Sequence, residues 1–247
     1  MQQQMDERQL YLKAIQCDPN NSQAYNNLGT LLSENETIEL SNGRIMNEMQ
    51  LYLKAIDCDP TNSHAYDNLG SMLSKDETIE LLDGCQMNQR QLYLKAIQCN
   101  PNHSDAYYNL GVLLSDDETL ELSNGQQLNK RQLYLKAIQC DPNHSDAYYN
   151  LGVLLLENET VELCDGQQMN ERQLYLKAIQ CCPNNSYAYN SLGVLLSEDE
   201  TVELNGQQMN SQDLFFKSIH CDPNYSDAYH NLGVLMYTRF TCCQNNG

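Results

Sequence analysis

The sequence predicts an all-α chain: a helical-repeat solenoid with a short hairpin-like insert in each repeat. Three observations carry this. First, Leu-Tyr-Leu-Lys-Ala-Ile begins at Leu10, Leu51, Leu92, Leu133 and Leu174, and Leu-Phe-Phe-Lys-Ser-Ile begins at Leu214, at intervals of 41, 41, 41, 41 and 40 residues. Periods of this size mark architectures in which each unit buries its apolar face against its neighbours. Second, apolar residues follow helical spacing twice within each unit. Third, the stretch between those two segments alternates in polarity around an Asn-Gly step, a strong hairpin signal.

The unit that starts at Ser104 shows each element in order. Pro101-Asn102-His103-Ser104 is turn chemistry, and Ser104 is placed to cap a helix by accepting from the first-turn N–H groups. Asp105 then sits near the positive end of the helix dipole. Ala106, Tyr107, Leu110, Gly111, Leu113 and Leu114 follow at helical spacing and predict the first helix, helix A, as far as about Ser115. Gly111 recurs as Gly29, Gly70, Gly152, Gly193 and Gly233. Glycine is disfavoured inside a helix by about 1 kcal/mol, so its return predicts a close helix crossing that a side chain would block. Glu118–Leu122, Ser123-Asn124-Gly125 and Gln126–Leu128 then read as a small two-stranded excursion or an extended turn, not as helix. The pattern returns at Thr37–Met46, Thr78–Met87, Thr160–Met169 and Thr201–Met209, the last one residue shorter. Asn129 is placed to cap the second helix, helix B, which runs through Leu133, Tyr134, Ala137 and Ile138 to Cys140 and stops at Asp141-Pro142.

This phasing predicts a half unit over residues 1–19 and units starting near Ser22, Ser63, Ser104, Ser145, Ser186 and Ser226. Residues 1–237 form one repeat array, and residues 238–247 depart from the pattern as a frayed tail. The chain opens on a helix B without its helix A and closes on a helix A. Solenoids need polar end caps, so either the ends self-associate or the chain is part of a longer array.

Composition narrows the function. Lys+Arg of 14 against Asp+Glu of 33 gives a net charge of −19. Such a field repels nucleic acid and anionic membranes and favours basic partners. No run approaches the roughly 20 apolar residues of a membrane span, and Met1–Glu7 lacks the features of a secretory signal. The expected location is cytoplasmic, where the Asn-x-Ser/Thr sequons carry no meaning. Of the 11 cysteines, Cys17, Cys58, Cys99, Cys140, Cys181 and Cys221 are one repeat position at the apolar end of helix B. They are expected to be buried reduced thiols. The adjacent pairs Cys181-Cys182 and Cys242-Cys243 lack metal-ligand spacing, and no metal or cofactor is expected. No Ser/His/Asp set, phosphate loop or His-x-x-x-His pair points to an enzyme. The Glu36/Glu39 and Glu118/Glu121 pairs read as a solvated acidic rim.

The unit resembles the tetratricopeptide repeat, whose pattern places an aromatic and then Leu-Gly in helix A, and an aromatic, Ala and Pro through helix B. Ala106-Tyr107-x-x-Leu110-Gly111 with Tyr134-x-x-Ala137 and Pro142 fits that pattern, as does Ala24-Tyr25-x-x-Leu28-Gly29 with Tyr52-x-x-Ala55 and Pro60. The family unit has about 34 residues, so roughly seven extra fall between helices A and B here. The resemblance implies a right-handed superhelix whose concave groove, lined by helices A, binds a segment of another protein.

The family's groove positions are the second, fifth, sixth, ninth and twelfth residues of helix A. The candidates they supply are Asn27, Asp67, Asn68, Asp105, Tyr108, Asn109, Asp146, Tyr149, Asn150, Tyr187, Asn190, Asp227, His230 and Asn231. The asparagines can hydrogen-bond a ligand backbone, the tyrosines offer contact area with a polar tip, and the aspartates favour a basic segment. No Lys or Arg stands at these positions, which excludes the carboxylate clamp of chaperone-binding members. The same polar residues also suit a solvated face with no ligand. Tyr25, Tyr66, Tyr107, Tyr148, Tyr189 and Tyr229 are expected in the core. The predicted function is a non-catalytic scaffold for a protein segment, expected to be basic in charge. The alternatives are a self-associating structural array or a regulatory fragment of a longer enzyme.

Overall fold

The computed structural model describes residues 5–197 and 199–245, with side chains through residue 238. The chain divides into two compact units, Met1–Leu133 and Tyr134–Gly247, with the division falling inside one helix.

The first unit carries α1 (Glu7–Cys17), α2 (Ser22–Thr30), strands β1 (Thr37–Glu39) and β2 (Ile45–Asn47), α3 (Glu48–Cys58) and α4 (Ser63–Met72). It continues with β3 (Thr78–Glu80), β4 (Gln86–Asn88), α5 (Gln89–Cys99), α6 (Ser104–Leu113), β5 (Thr119–Glu121) and β6 (Gln127–Asn129). Helix α7 (Lys130–Cys140) contains the division. The second unit carries α8 (Ser145–Val153), β7 (Thr160–Glu162), β8 (Gln168–Asn170), α9 (Glu171–Cys181), α10 (Ser186–Leu195), β9 (Val202–Leu204), β10 (Gln207–Met209), α11 (Ser211–Cys221) and α12 (Ser226–Asn245). Each unit is the predicted helical-repeat stack. Helices α2, α4, α6, α8, α10 and α12 are helices A; the odd-numbered helices are helices B.

Local chemistry sets the element ends. Asn47, Asn88 and Asn170 cap α3, α5 and α9 in reciprocal boxes with Gln50, Gln91 and Gln173. The Asn129 and Gln132 pair makes the same two bonds at α7. Helix A is capped one residue earlier than the sequence suggests. His103 Nδ1, not Ser104, accepts from the Ala106 N–H, and Asn21, Asn62, His144 and Asn185 do likewise in their repeats. The serine is freed for packing: the Ser22 and Ser145 hydroxyls donate to the Ala55 and Ala178 carbonyls of the next helix B. Helix A also ends early, at Leu113 rather than Ser115. The Ser115 N–H bonds the Glu118 carboxylate, which pairs with Arg90; Ser33, Glu36 and Arg8 repeat the arrangement. These glutamates therefore brace a turn, and their carboxyls are held below the usual range by hydrogen bonding to the arginine.

The insert is a true antiparallel hairpin in every repeat, in the register Thr37↔Asn47, Ile38↔Met46, Glu39↔Ile45 in the first. It is core structure rather than an excursion. Ile38, Leu40 and Met46 are buried, as are Leu120, Leu122 and Leu128, and Val202, Leu204 and Met209. The turn has two forms. In the 41-residue units the Gly43 N–H donates to the Leu40 carbonyl, the Leu40 N–H donates to the Arg44 carbonyl, and only Gly43 of that loop takes a positive φ, 78°. In the 40-residue unit Leu204 pairs with Gln207 directly, and Asn205 and Gly206 have φ of 51° and 77°. Both central residues of a two-residue turn then lie in the left-handed region, which Asn-Gly tolerates best.

Repeat packing rests on a glycine–aromatic contact. A Cβ on Gly29 would stand 2.6 Å from Tyr52 Cε1, and those on Gly70, Gly152 and Gly193 would stand 2.7 Å from Tyr93, Tyr175 and Phe215. The predicted close crossing is thus a ring laid on a bare backbone. Gly233 has no such neighbour, and Tyr229 is half exposed while Tyr25, Tyr66, Tyr107, Tyr148 and Tyr189 are buried as expected. Among the described residues α12 packs on the preceding helix B, α11, and no helix B follows it to cover that tyrosine. The backbone of α12 is helical through Asn245. The repeated cysteine is not fully buried either. Cys17 is exposed, and Cys58, Cys99, Cys140, Cys181 and Cys221 are half-buried. Their position is fixed by a hydrogen bond: the Cys58, Cys99, Cys181 and Cys221 thiols point at the Pro19, Pro60, Pro142 and Pro183 carbonyls of the preceding turn.

Candidate functional site

The helix A face repeats five positions, and the structure sorts them by depth. The second and ninth are exposed in every repeat, the sixth is half-buried, and the fifth is buried at Asn26, Asp67 and Asn190. A hydrogen-bond rule explains the fifth and sixth. The side-chain amide of the sixth residue donates to the fifth residue of the preceding helix A: Asn68 to Asn26, Asn109 to Asp67 and Asn231 to Asn190, each at 3.0 Å. Asn27, at the first helix A, donates to the Tyr11 hydroxyl instead. These amide groups bind neighbouring helices together, and the Asn27 carbonyl oxygen is engaged as well, accepting from the Gln23 and Asn26 amides.

In the first unit the face is largely polar. Its ladder runs Asn26–Asn68 and Asp67–Asn109, and Thr30 and Ser71 occupy ninth positions, with Val112 exposed at the third. His64 and Asp105 are exposed at second positions, and Tyr108 is half-buried. The His64 and His103 rings touch at 4.6 Å between centroids. Burial, then the neighbouring His64, lowers the His103 pKa to about 4, so His103 is neutral at neutral pH.

In the second unit the face is aromatic. Tyr149 contacts Tyr175 at 5.7 Å and Tyr187 at 5.8 Å, and Tyr187 meets Tyr225 edge-on at 4.8 Å. Tyr175 is anchored, its hydroxyl donating to Glu171. Tyr187 is 49% exposed, and Val153, Val194 and Val234 are exposed beside this chain of rings at the ninth positions. Asp146, Asp227 and His230 are exposed, and Asn150 is half-buried. The face therefore presents rings and methyl groups flanked by carboxylates.

Sequence reasoning missed Tyr225 and His103. Both occupy the slot that holds the capping Asn21, Asn62 and Asn185, so the available signal was a departure from asparagine at a turn position. Shallow grooves also lie between a helix B and the next hairpin, as where Gln91, Leu94 and Lys95 face Glu121 and Leu122, and they gather no chemically convergent groups.

Comparison with known proteins bears on the repeat itself. The family model for the tetratricopeptide repeat matches residues 10–48, 51–91, 92–132, 133–173 and 174–213. No curated protein matches the sequence. Yeast Tom70 aligns with a TM-score of 0.53 at 16% identity, over 97% of this chain and 45% of that one. YrrB, described as a TPR protein with an unusual peptide-binding site, aligns at TM-score 0.42 and 17% identity over 90% of this chain and 97% of its own. MamA aligns at 0.40 and 18% over 86% and 92%. The likeness to Tom70 is one of fold.

Proposed function

The chain belongs to the tetratricopeptide repeat family, and we propose that it is a non-catalytic scaffold that binds a segment of another protein on the helix A face of its second unit. The observation that carries this reading is the ring series Tyr149–Tyr187–Tyr225, with Tyr187 half exposed among exposed valines. A soluble surface gains nothing from such a strip unless it is covered, and tyrosine is a preferred anchor when it is. Asp146 and Asp227 at its edge, together with the net charge of −19, favour a segment carrying Lys or Arg among apolar residues. The absence of Lys and Arg from the helix A positions argues against a carboxylate-terminated ligand. The half-exposed free thiols suit a reducing compartment such as the cytosol. Among the described residues no helix is long and apolar enough to cross a membrane.

An array of peptides that combine Lys or Arg with aromatic and aliphatic residues, probed with the whole protein, tests the reading. Tyr187→Ala should weaken retained peptides by about tenfold or more, and added salt should weaken them further. Retention that is the same for wild type, Tyr187→Ala and Asp146→Asn would sink it. A second reading, self-association through α11 and α12, has an observation of its own: Phe216, Tyr229, Met236 and Tyr237 are all half exposed or more. Light scattering separates the two, since mass that grows with concentration supports self-association and a constant monomer mass counts against it.

A further inference from the structure

One side-chain cluster in the first unit has no part in the proposed peptide site. Asp67 on α4, with His103 and Asp105 at the start of α6, present ligand atoms that all lie within 4.8 Å of one another. His103 is 3% exposed, and its Nε2 is buried with no hydrogen-bond partner among the described residues. An unpaired buried polar atom is costly, and the repeat shows which way it faces. The residues in the same slot of neighbouring repeats, Asn62 and Asn185, send their side-chain amide back to the preceding helix A. Asn62 reaches Ser22, while Asn185 reaches Ser145 and Asp146. His103 keeps the capping half of this arrangement through Nδ1, which accepts from the Ala106 N–H at 3.4 Å. In those repeats the partner is the serine that opens the preceding helix A, whose counterpart here is Ser63 of α4, the helix that also carries Asp67.

We propose that Asp67, His103 and Asp105 form a binding site for a divalent transition metal of the zinc class. One imidazole and two carboxylates are a donor set zinc accepts, at bonds of about 2.0–2.2 Å, and side-chain rotation closes a 4.8 Å cluster onto such an ion. Outer support is in place: the Asn109 amide donates to Asp67 Oδ1 at 3.0 Å and orients that carboxylate. The fourth position falls to water or to His64, whose ring touches His103 at the rim. Binding has a defined proton cost. With Nδ1 accepting from the backbone, the neutral ring carries its proton on Nε2. The metal takes the Nε2 lone pair, the proton moves to Nδ1, and the long cap bond from Ala106 is given up. Among the described residues the cluster occurs at one junction. In the second unit the equivalent positions hold Tyr149, Asn185 and Tyr187 or Asn190, Tyr225 and Asp227.

The test is zinc titration of the full-length protein, read by the imidazole nitrogen resonances of its five histidines and by the thermal unfolding midpoint. One equivalent of zinc is expected to convert His103 from the Nε2–H to the Nδ1–H form and to raise the midpoint. His103→Asn and Asp67→Asn install residues that the chain itself uses at those positions (Asn62 and Asn185, Asn26 and Asn190), so both should fold. Each is expected to weaken zinc binding at least about tenfold. Zinc that leaves His103 unshifted, binds both variants as tightly as wild type, or gives with cobalt a thiolate charge-transfer band that places the ion on cysteine would overturn the proposal.

Discussion

The helix A faces of the two units use the same repeat positions and present different chemistry. In the first unit, Asn26, Asn68, Asp67 and Asn109 turn the fifth and sixth positions into a part-buried hydrogen-bonded ladder, which the second unit keeps at Asn190 and Asn231. In the second, Tyr149 and Tyr187 turn the fifth and second into a run of rings that continues to Tyr225. The ladder consumes its polar groups between repeats and contributes to cohesion. The rings meet in tilted and edge-on pairs and leave area uncovered, as a binding surface does. Beneath both faces lies one unchanged frame, the glycine–aromatic crossing and the tyrosine core.

The largest expected effect reaches that frame in both units at once. Burial pushes Tyr66, Tyr93 and Tyr148 up to about 12, above the unfolded value near 10. Each raised pKa contributes stability that is complete below pH 10 and lost as pH rises through 12. Circular dichroism and tyrosinate absorbance followed together should show the last part of the ionisation rising with helix loss over that window. Complete ionisation before helix loss would mean the core tyrosines are accessible. Next, Gly70→Val and Gly152→Val each drive a side chain into a ring whose Cε1 lies 2.7 Å from the new Cβ. A loss of about 3 kcal/mol in urea unfolding is expected for both, whereas Gly233→Ala, with open space around it, should be neutral or stabilising by up to about 1 kcal/mol. Unequal costs in the two units would show that the frame is not shared.

The contrast between the faces is sharpest in smaller effects. Asn26→Ala strands the Asn68 amide and should cost about 1–2 kcal/mol with peptide retention unchanged. Tyr187→Ala should cost under about 1 kcal/mol, because the side chain is half exposed, while retention falls. Equal stability losses in the two variants would erase the distinction. The smallest effect tests the turns: Gly43→Ala and Gly206→Ala place a side chain at φ of 78° and 77°, each costing about 1 kcal/mol, with no change in the peptides retained.

Much of this was legible in the sequence because repetition averages out local noise. The helix B caps, the hairpins, the glycine crossings and five of the core tyrosines follow from residue types at fixed offsets. The helix A cap did not, because Ser and the residue before it are both capable caps, and the choice fell to the serine hydroxyl's bond to the next helix B. The cysteines were misplaced for a similar reason. Their apolar character suggested burial, whereas a thiol pointing at the preceding proline turn stops half way. The asparagines of the face were readable as polar, but whether they face a ligand or the next repeat depends on the stagger of successive helices.

The sequence by itself determined the period, the helix pair, the hairpin between them and the acidic character of the chain, since these depend on composition and on spacing along one segment. Tertiary structure alone decided which polar groups pair across repeats, which tyrosines meet, and that His103 is buried with one nitrogen unspent beside two carboxylates. Those outcomes depend on how residues about 41 positions apart are brought to within hydrogen-bonding distance. Spacing along the chain predicts that they stack; only the packed geometry fixes which atoms meet.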